Sequence, residues 1–236
     1  MKTIGMLGGM SWESTALYYR EINEGIQEKL GALHSAEIIL NSVDFEKIER
    51  LQQTGDWEAT ADILKKAARS VELAGADFLI ICTNTMHIVA SEITSSLKIP
   101  VLHIADATGE KLIEDKISSV GLLGTKFTME KSFYKGRLLG QHGIQTVIPS
   151  SEDRMELHRI IYEELCCGVV KQSSREYYLE VIDKLKTDGA EGIILGCTEI
   201  GMLVSQKDTT ARLYDTTRIH AEKAVNVALE LKQWHI

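Results

Sequence analysis

The chain of 236 residues has little of what marks a secreted, membrane-bound or nucleic-acid-binding protein. It has no charged-then-apolar leader, and no apolar run is long enough to cross a bilayer. Its formal net charge of -8 disfavours a nucleic-acid partner, because binding to phosphates relies on lysine and arginine. These absences predict a cytoplasmic protein that binds neither nucleic acid nor membranes.

Cysteine is also scarce, and the four cysteines are Cys82, Cys166, Cys167 and Cys197. No Cys-x-x-Cys pair occurs, and two adjacent cysteines have poor geometry for a disulfide bridge. We therefore expect reduced thiols. We expect no metal site either, because three possible ligands lack a recognised metal spacing: His103, Asp106 and His220.

The chain has only two prolines, and it contains no Pro-rich or Gly/Ser-rich linker and no low-complexity segment. Its length allows one large or two small domains with substantial cores. Its apolar and charged fractions, 44% and 25%, are those of an ordinary globular protein. Any two domains are therefore expected to be lobes in close contact.

What the chain does contain is an internal repeat. Residues 74–85 align without a gap on residues 188–199, which places Thr83 on Cys197. In the same order, Ile4–Gly8 is echoed by Val120–Gly124. Each copy consists of a glycine turn, a short apolar strand and small polar residues that can cap a helix. Buried strands of any parallel sheet look alike, but two matches at similar spacing predict two related halves.

Strands and helices alternate through both halves, which is typical of parallel sheets covered on both faces. The predicted fold class is α/β, with two pseudo-symmetric lobes, each a short parallel sheet flanked by helices, and the active site between them. Residues 1–104 are expected to form the first lobe and 105–215 the second. A closing helix at about 216–236 could pack on either lobe, and we assign it to the first.

The first strand leads through Gly8, Gly9 and Met10 to Ser11, which can cap the following helix. A glycine turn before a helix N-terminus is a natural anion site. The turn is not G-x-G-x-x-G, so the sequence lacks the dinucleotide-binding fingerprint.

The repeated strand ends carry groups suited to proton transfer. Cys197 offers a thiol, whose pKa of about 8.5 falls beside a helix N-terminus, and Thr83 offers a hydroxyl from the other half. Asn84, Thr85 and Thr198 offer donors for a carboxylate. Two groups on opposite sides of one carbon can remove a proton from one face and return one to the other. Without the internal repeat, simple helix capping would be the better explanation of the three donors.

Three motifs resemble the aspartate/glutamate racemase family, and within it the enterobacterial branch: Cys-Thr-Asn-Thr-Met-His at 82–87, Gly-Cys-Thr-Glu at 196–199 and Leu-Gly-Gly-Met at 7–10. The resemblance covers essentially the whole chain. It implies an amino-acid racemase that acts on aspartate or glutamate without pyridoxal phosphate or any other cofactor. It also implies one acid/base residue from each lobe and a homodimer.

The chain departs from the family at one catalytic position. Members usually carry Cys-Asn-Thr in the first half, whereas here Thr83 precedes Asn84 and the cysteine lies one residue earlier, at Cys82. A shift of one residue in a strand points a side chain to the opposite face, so Cys82 is expected to face the core. The predicted pair is Thr83 and Cys197, and the family analogy assigns the α-proton of the L-enantiomer to Cys197.

The resemblance also implies substrate contacts at positions that could equally be turn, cap or packing residues. Glu199 could hold the substrate ammonium or simply favour its helix N-terminus. His87, four residues after Thr83, is expected to be a packed or surface residue. The predicted substrate-binding residues are Met10, Gln52, Asn84, Thr85, Thr125, Thr128, Thr198 and Glu199.

Other functions stay open at this stage. One is a racemase of broad specificity. Another is a cysteine hydrolase or amidase with Cys197 as nucleophile, which would need a histidine base such as His220. A third is a module that binds small acids without turning them over, since one family thiol is missing.

Overall fold

The protein is built on two four-stranded parallel sheets, seen in a computed structural model that describes residues 1–231. The last part of the predicted closing helix, 232–236, lies outside the described residues. The chain divides into two compact units. One is formed by Met1–Ile104 with the segment that begins at His220, and the other by Ala105–Ile219.

The sheet of the first unit is formed by β1 at Ile4–Gly8, β2 at Ile38–Ser42, β3 at Phe78–Ile81 and β4 at Val101–Leu102. The strand order is β2-β1-β3-β4, and every neighbouring pair is parallel. The central strands β1 and β3 are buried throughout. This burial explains their continuous apolar sequence, because helices cover a parallel sheet on both faces.

The helices before β4 are α1 at Trp12–Leu30, α2 at Phe45–Thr54, α3 at Trp57–Leu73 and α4 at Ala90–Ser95, with a 3₁₀ helix at Thr85–Val89 before α4. Two of these helices are capped by a side chain, and the cap at Ser11 is the one that the sequence predicts. The Ser11 hydroxyl accepts the N–H of Ser14, and the Asp56 carboxylate accepts the N–H of Ala59. These bonds satisfy N–H groups that a helix start leaves without an intrahelical partner.

Alternate residues of β3 enter two separate cores of the first unit. Leu79 and Ile81 join a buried cluster with Leu64 of α3. Phe78 and Ile80 join another with Tyr18 of α1. This alternation is the two-residue period of a strand, with one core on each face of the sheet.

The closing helix, α11 at Thr216–Ala228, spans the boundary between the units. Its residues Ala224, Val225 and Ala228 belong to the same core cluster as Tyr18, so the helix packs on the first unit. Leu231, which falls within the range predicted for this helix, lies beyond its end and is 57% exposed. That part of the prediction is wrong.

The sheet of the second unit is formed by β5 at Ser119–Gly124, β6 at Gln145–Val147, β7 at Gly192–Gly196 and β8 at Arg212–Asp215. The order is β6-β5-β7-β8, and all neighbours are parallel. The central strands β5 and β7 correspond to β1 and β3, which are the pairs that the sequence repeat aligns. The predicted α/β class with two similar lobes is confirmed.

The remaining helices are α5 at Ile104–Glu114, α6 at Lys126–Glu130, α7 at Ser132–His142, α8 at Ser151–Glu163, α9 at Gln172–Thr187 and α10 at Ile200–Leu203. The helices α6 and α7 are separate, because Lys131 between them has extended dihedral angles. Within residues 1–231, no helix is both long and apolar enough to cross a membrane.

The strand β4 is the shortest of the first sheet. It ends at Leu102, and Ile104 begins α5. The N–H of Ile104 is donated to the side chain of His87 at 3.2 Å and not to a neighbouring strand. This side-chain bond replaces a ladder bond where the strand stops.

Candidate active site

In the first unit, the predicted residues follow the carboxyl ends of the two central strands. Leu7 lies opposite Ile81 in the parallel register, so the segments after β1 and β3 leave the sheet at the same edge. Met10 follows β1, and Thr83 follows β3 after Cys82. In parallel α/β sheets, ligands bind outside the carboxyl ends of the strands.

Thr83 is half-buried, and both of its backbone polar groups are hydrogen-bonded. Its N–H donates to the Ile81 carbonyl at 2.8 Å, and its carbonyl lies 2.8 Å from Nδ1 of His87. These two bonds fix the direction of the Cα–Cβ bond. Threonine is also stiff at χ1, so the position of the hydroxyl is narrowly defined.

Asn84 and Thr85 are buried at the start of the 3₁₀ helix. Asn84 is the residue before that helix, yet its side chain makes no capping hydrogen bond. Simple helix capping therefore does not account for the asparagine at this position. A role for Asn84 and Thr85 in binding substrate stays a prediction.

Cys82 lies in the core, as predicted. Its side chain is fully buried in the cluster that contains Tyr18 and Ile80. Burial raises the pKa of the Cys82 thiol well above its usual range, because the thiolate would be desolvated. A thiol kept protonated in an apolar core is unsuited to proton abstraction.

In the glycine turn after β1, the Gly9 N–H is not available to bind an anion. The Gly9 N–H donates to the Thr15 hydroxyl at 2.8 Å, inside α1. Gly9 has a φ of 90°, and a Cβ atom there would lie 2.3 Å from the Val43 carbonyl oxygen. The turn therefore serves close backbone packing, which explains the glycine. Met10, directly after it, is 4% exposed and belongs to the core cluster of Ile81.

In the second unit, Cys197 directly follows β7 and lies beside a carboxylate. Its Sγ donates to Oε2 of Glu199 at 2.9 Å. Removal of the sulfur from water raises the Cys197 pKa well above its usual range, and the negative charge of Glu199 raises it further. The expected net lowering of this pKa is wrong, because burial and the Glu199 charge outweigh the lowering by the Glu199 backbone N–H at the start of α10.

Glu199 therefore does something other than cap a helix. It occupies the N-cap position of α10 without making a side-chain capping bond, and its carboxylate points to the Cys197 sulfur. The arrangement pairs a potential nucleophile or base with an acceptor for its proton. This is the geometry by which an adjacent general base activates a thiol.

Other predicted residues of the second unit lie at the same sheet edge as Cys197. Gly124 pairs with Gly196 in the register of β5 and β7, so Thr125 and Cys197 each follow one member of a strand pair. Thr125 is the N-cap of α6 and accepts the N–H of Thr128 at 3.3 Å. Their hydroxyl oxygens are 3.2 Å apart, and both side chains are buried.

Thr198 connects the exit of β7 to the start of α11. The Thr217 hydroxyl donates to the Thr198 hydroxyl at 3.3 Å. The adjacent Thr216 hydroxyl donates to the Leu195 carbonyl at 2.9 Å. The segment that carries Cys197 is thus attached to the next strand exit through hydroxyl groups.

Gln52 lies near the end of α2, where it is 4% exposed. Its predicted role in substrate binding stays a prediction. Within residues 1–231, no group of three or more His, Cys, Asp or Glu side chains is arranged to hold a metal ion.

The chain belongs to the Asp/Glu/hydantoin racemase family, whose model matches residues 7–224. It is accordingly an enzyme of the racemase class. The broad-specificity amino-acid racemase RacX of Bacillus subtilis (strain 168) is 24% identical over 238 residues, which cover 96% of this chain and 98% of RacX.

Solved structures agree with this assignment. An Asp/Glu racemase assigned in Yersinia pestis is 52% identical, with a TM-score of 0.92, and the match covers 97% of this chain and 100% of that one. An aspartate racemase homologue from Pyrococcus horikoshii OT3 is 36% identical, with a TM-score of 0.85 and the same coverage.

Proposed function

We propose that the protein interconverts the L- and D-enantiomers of aspartate or glutamate without a cofactor. Cys197 acts on the α-proton of the L-enantiomer, and Thr83 acts on the opposite face of the same carbon. The observation that carries this proposal is the equivalence of the two residues. Each follows the second central strand of a four-stranded parallel sheet, and the two sheets have the same strand order.

The first step of the proposed mechanism is activation of the thiol. Because the Cys197 pKa is raised, its sulfur holds a proton in the resting enzyme. The Glu199 carboxylate, 2.9 Å from the sulfur, accepts that proton as substrate binds. The thiolate then removes the α-proton of the L-enantiomer, which leaves the electron pair on the α-carbon and the adjacent carboxylate.

The second step returns a proton to the other face. The Thr83 hydroxyl donates its proton to the α-carbon and forms the D-enantiomer. Water then returns a proton to the Thr83 oxygen, and the hydroxide left behind takes the proton held by Glu199, so both groups return to their resting states. Asn84, Thr85 and Thr198 supply donors for the substrate carboxylate, where the negative charge develops. Met10, Gln52, Thr125 and Thr128 complete the substrate contacts in this proposal.

Thermodynamics limits how unequal the two directions can be. Enantiomers have the same free energy in an achiral solvent, so kcat/KM must be equal in both directions of a complete racemisation. A threonine on one side and a cysteine on the other can make kcat and KM differ separately. They can also make exchange of the α-proton of the L-enantiomer faster than inversion.

A racemase of broad specificity is the second candidate, and the similarity to RacX over almost the whole chain favours it. A cysteine hydrolase is disfavoured by His220, the histidine that such an enzyme would recruit. One of its ring nitrogens lies 2.9 Å from the Tyr18 hydroxyl and the other 2.9 Å from the Leu102 carbonyl. To act as a base it would have to give up one of these buried bonds.

The test is incubation with a panel of L- and D-amino acids in heavy water, followed by loss of the Cα–H signal in NMR spectra. Exchange and inversion confined to aspartate and glutamate support the proposal. Exchange across neutral and basic amino acids would instead support broad specificity. Tight binding without any exchange would refute racemisation and leave a binding module. The homodimer is a separate prediction, for which sedimentation analysis is the test.

A further inference from the structure

One imidazole in the first unit joins the exits of two neighbouring strands. Nδ1 of His87 lies 2.8 Å from the Thr83 carbonyl oxygen, and Nε2 lies 3.2 Å from the backbone nitrogen of Ile104. Thr83 follows β3, and Ile104 follows β4. His87 itself is 2% exposed, so water does not compete for either bond.

The chemistry of these two partners fixes the tautomer of the ring. A backbone N–H can only donate, so Nε2 of His87 must accept from Ile104 and carries no proton. The Thr83 carbonyl can only accept, so Nδ1 must carry the proton and donate it. A cationic ring would place two N–H groups face to face at Ile104. The structure therefore requires a neutral His87 with the proton on Nδ1.

The surroundings of His87 favour the same neutral state. Its ring packs edge-on against His103, with centroids 4.5 Å apart, and lies 6.0 Å from the ring of His220. The two ring nitrogens of His220 lie 2.9 Å from the Tyr18 hydroxyl and 2.9 Å from the Leu102 carbonyl. Desolvation lowers the pKa of His87 well below its usual range, and the neighbouring histidines lower it further.

The equivalent position of the second unit lacks this bridge. The repeat that aligns Thr83 with Cys197 aligns His87 with Gly201. There, the neighbouring strand exit offers the Asp215 carboxylate, one oxygen of which lies 3.3 Å from where a Cβ of Gly201 would be. The imidazole bridge thus belongs to the threonine side of the repeat only.

We propose that His87 is a positioning residue for Thr83, which aims the threonine hydroxyl at the α-carbon by holding the Thr83 carbonyl. This role rests on the proposed racemase function. A threonine hydroxyl is a much weaker acid than a thiol, so it depends more on alignment with the carbon that it protonates. His87 does not touch substrate in this account and acts only through the backbone of Thr83.

Two substitutions separate the two hydrogen bonds. In His87→Gln, the side-chain amide reaches the place of Nε2, so it can keep the bond to Ile104 but loses the bond to Thr83. In His87→Asn, the amide nitrogen takes the place of Nδ1 and keeps the bond to Thr83. The matched control is His220→Gln, which likewise keeps an Nε2-like group and loses one buried hydrogen bond, to Tyr18.

The measurement is the ratio of inversion to α-proton exchange for L-aspartate and L-glutamate in heavy water, with thermal unfolding of each variant as a check on folding. Exchange by Cys197 alone does not need Thr83, whereas inversion does. We expect His87→Gln to lower the ratio about tenfold to a hundredfold. His87→Asn should stay within about twofold of the wild type, and His220→Gln should lower stability without changing the ratio.

Equal ratios in His87→Gln and His220→Gln would refute the positioning role while leaving the racemase function intact. Absence of exchange in the wild type would refute the proposed function and, with it, this role. If His87→Gln does not fold, the ¹⁵N spectrum of histidine-labelled wild type decides. A ring with Nδ1 protonated and Nε2 bare at neutral pH is expected, and a cationic or Nε2-protonated ring would overturn the proposal.

Discussion

Thr83 and Cys197 occupy equivalent positions, after the second central strand of each sheet. They differ in the chemical group that they offer and in the hydrogen bonds that hold them. Thr83 has both backbone groups bonded and is followed by buried residues and by the imidazole of His87. Cys197, Thr198 and Glu199 are all half-buried, and the thiol lies against a carboxylate. The comparison teaches that, in one copy of a duplicated fold, backbone hydrogen bonds can position a weak acid, the Thr83 hydroxyl. In the other copy, the charge of Glu199 shifts the pKa of a stronger acid, the Cys197 thiol.

Removal of the thiol should have the largest effect on this pair. Cys197→Ala is expected to lower α-proton exchange of L-aspartate or L-glutamate by about 10²–10⁴-fold, because the base for the L-face is lost. The measurement is the Cα–H signal of the L-enantiomer in heavy water. Exchange at the wild-type rate in this variant would show that Cys197 is not the base.

Placing a thiol at both catalytic positions should increase activity, whereas removal of the Cys197 thiol decreases it. Thr83→Cys replaces a weak acid by a thiol, so α-proton exchange of the D-enantiomer should rise about tenfold or more. For complete racemisation, kcat/KM must then rise equally in both directions, which polarimetry can follow. Thr83→Val is the matched control, since it keeps the branched shape without a proton to transfer. Inversion at the wild-type rate in Thr83→Val would remove Thr83 from the mechanism.

The charge beside the thiol gives a third test. Glu199→Gln removes the negative charge that raises the Cys197 pKa, so that pKa should fall. Cys197 should then be alkylated faster by iodoacetamide at neutral pH, because more of it is thiolate. Racemisation should nonetheless fall about a hundredfold, because the acceptor for the thiol proton is lost. Site-resolved mass spectrometry separates Cys197 from the exposed Cys167.

Slower alkylation of Cys197 in Glu199→Gln would contradict the assigned direction of the pKa shift. Unchanged racemisation would show that Glu199 does not receive the thiol proton. The alkylation rate reports the protonation of Cys197 in the resting enzyme, whereas the racemisation rate reports the transfer of its proton during turnover.

The smallest effect is expected from the other strand-end cysteine. Cys82→Ala makes the same chemical change as Cys197→Ala, but in the core of the first unit. The free energy of unfolding should fall by about 1 kcal/mol, because a buried atom is removed. Inversion and exchange should not change. A loss of activity comparable to that of Cys197→Ala would show that Cys82, not Thr83, supplies the first-half acid.

The sequence predicted the repeat, the strand pairs and the core location of Cys82, because these follow from apolar periodicity and strand alternation. It did not predict the bond between Cys197 and Glu199, since the direction of a side chain after a strand depends on the turn that follows. The predicted direction of the Cys197 pKa shift was wrong, because the sequence does not show how deeply the sulfur is buried or which charge lies beside it. The helix after it has a single turn, and a carboxylate lies beside the sulfur.

The sequence also did not predict that His87 bonds to both Thr83 and Ile104, because this depends on which strands are neighbours. Its two partners, Thr83 and Ile104, are 4 and 17 residues away along the chain. They come together only because β3 and β4 are neighbours in the sheet. A histidine four residues after Thr83 was the signal, and the missing information was the shortness of β4.

The most direct test of a two-residue mechanism is the isotope content of the product. L-aspartate or L-glutamate is racemised in heavy water, and the reaction is stopped long before it reaches equilibrium. The D-enantiomer formed by then should carry deuterium at Cα. This is expected because Thr83 delivers a solvent-derived deuteron to the opposite face, which the proton removed by Cys197 does not reach. A D-enantiomer that retains the original proton would show that a single residue serves both faces, and the account built on Thr83 and Cys197 would be wrong.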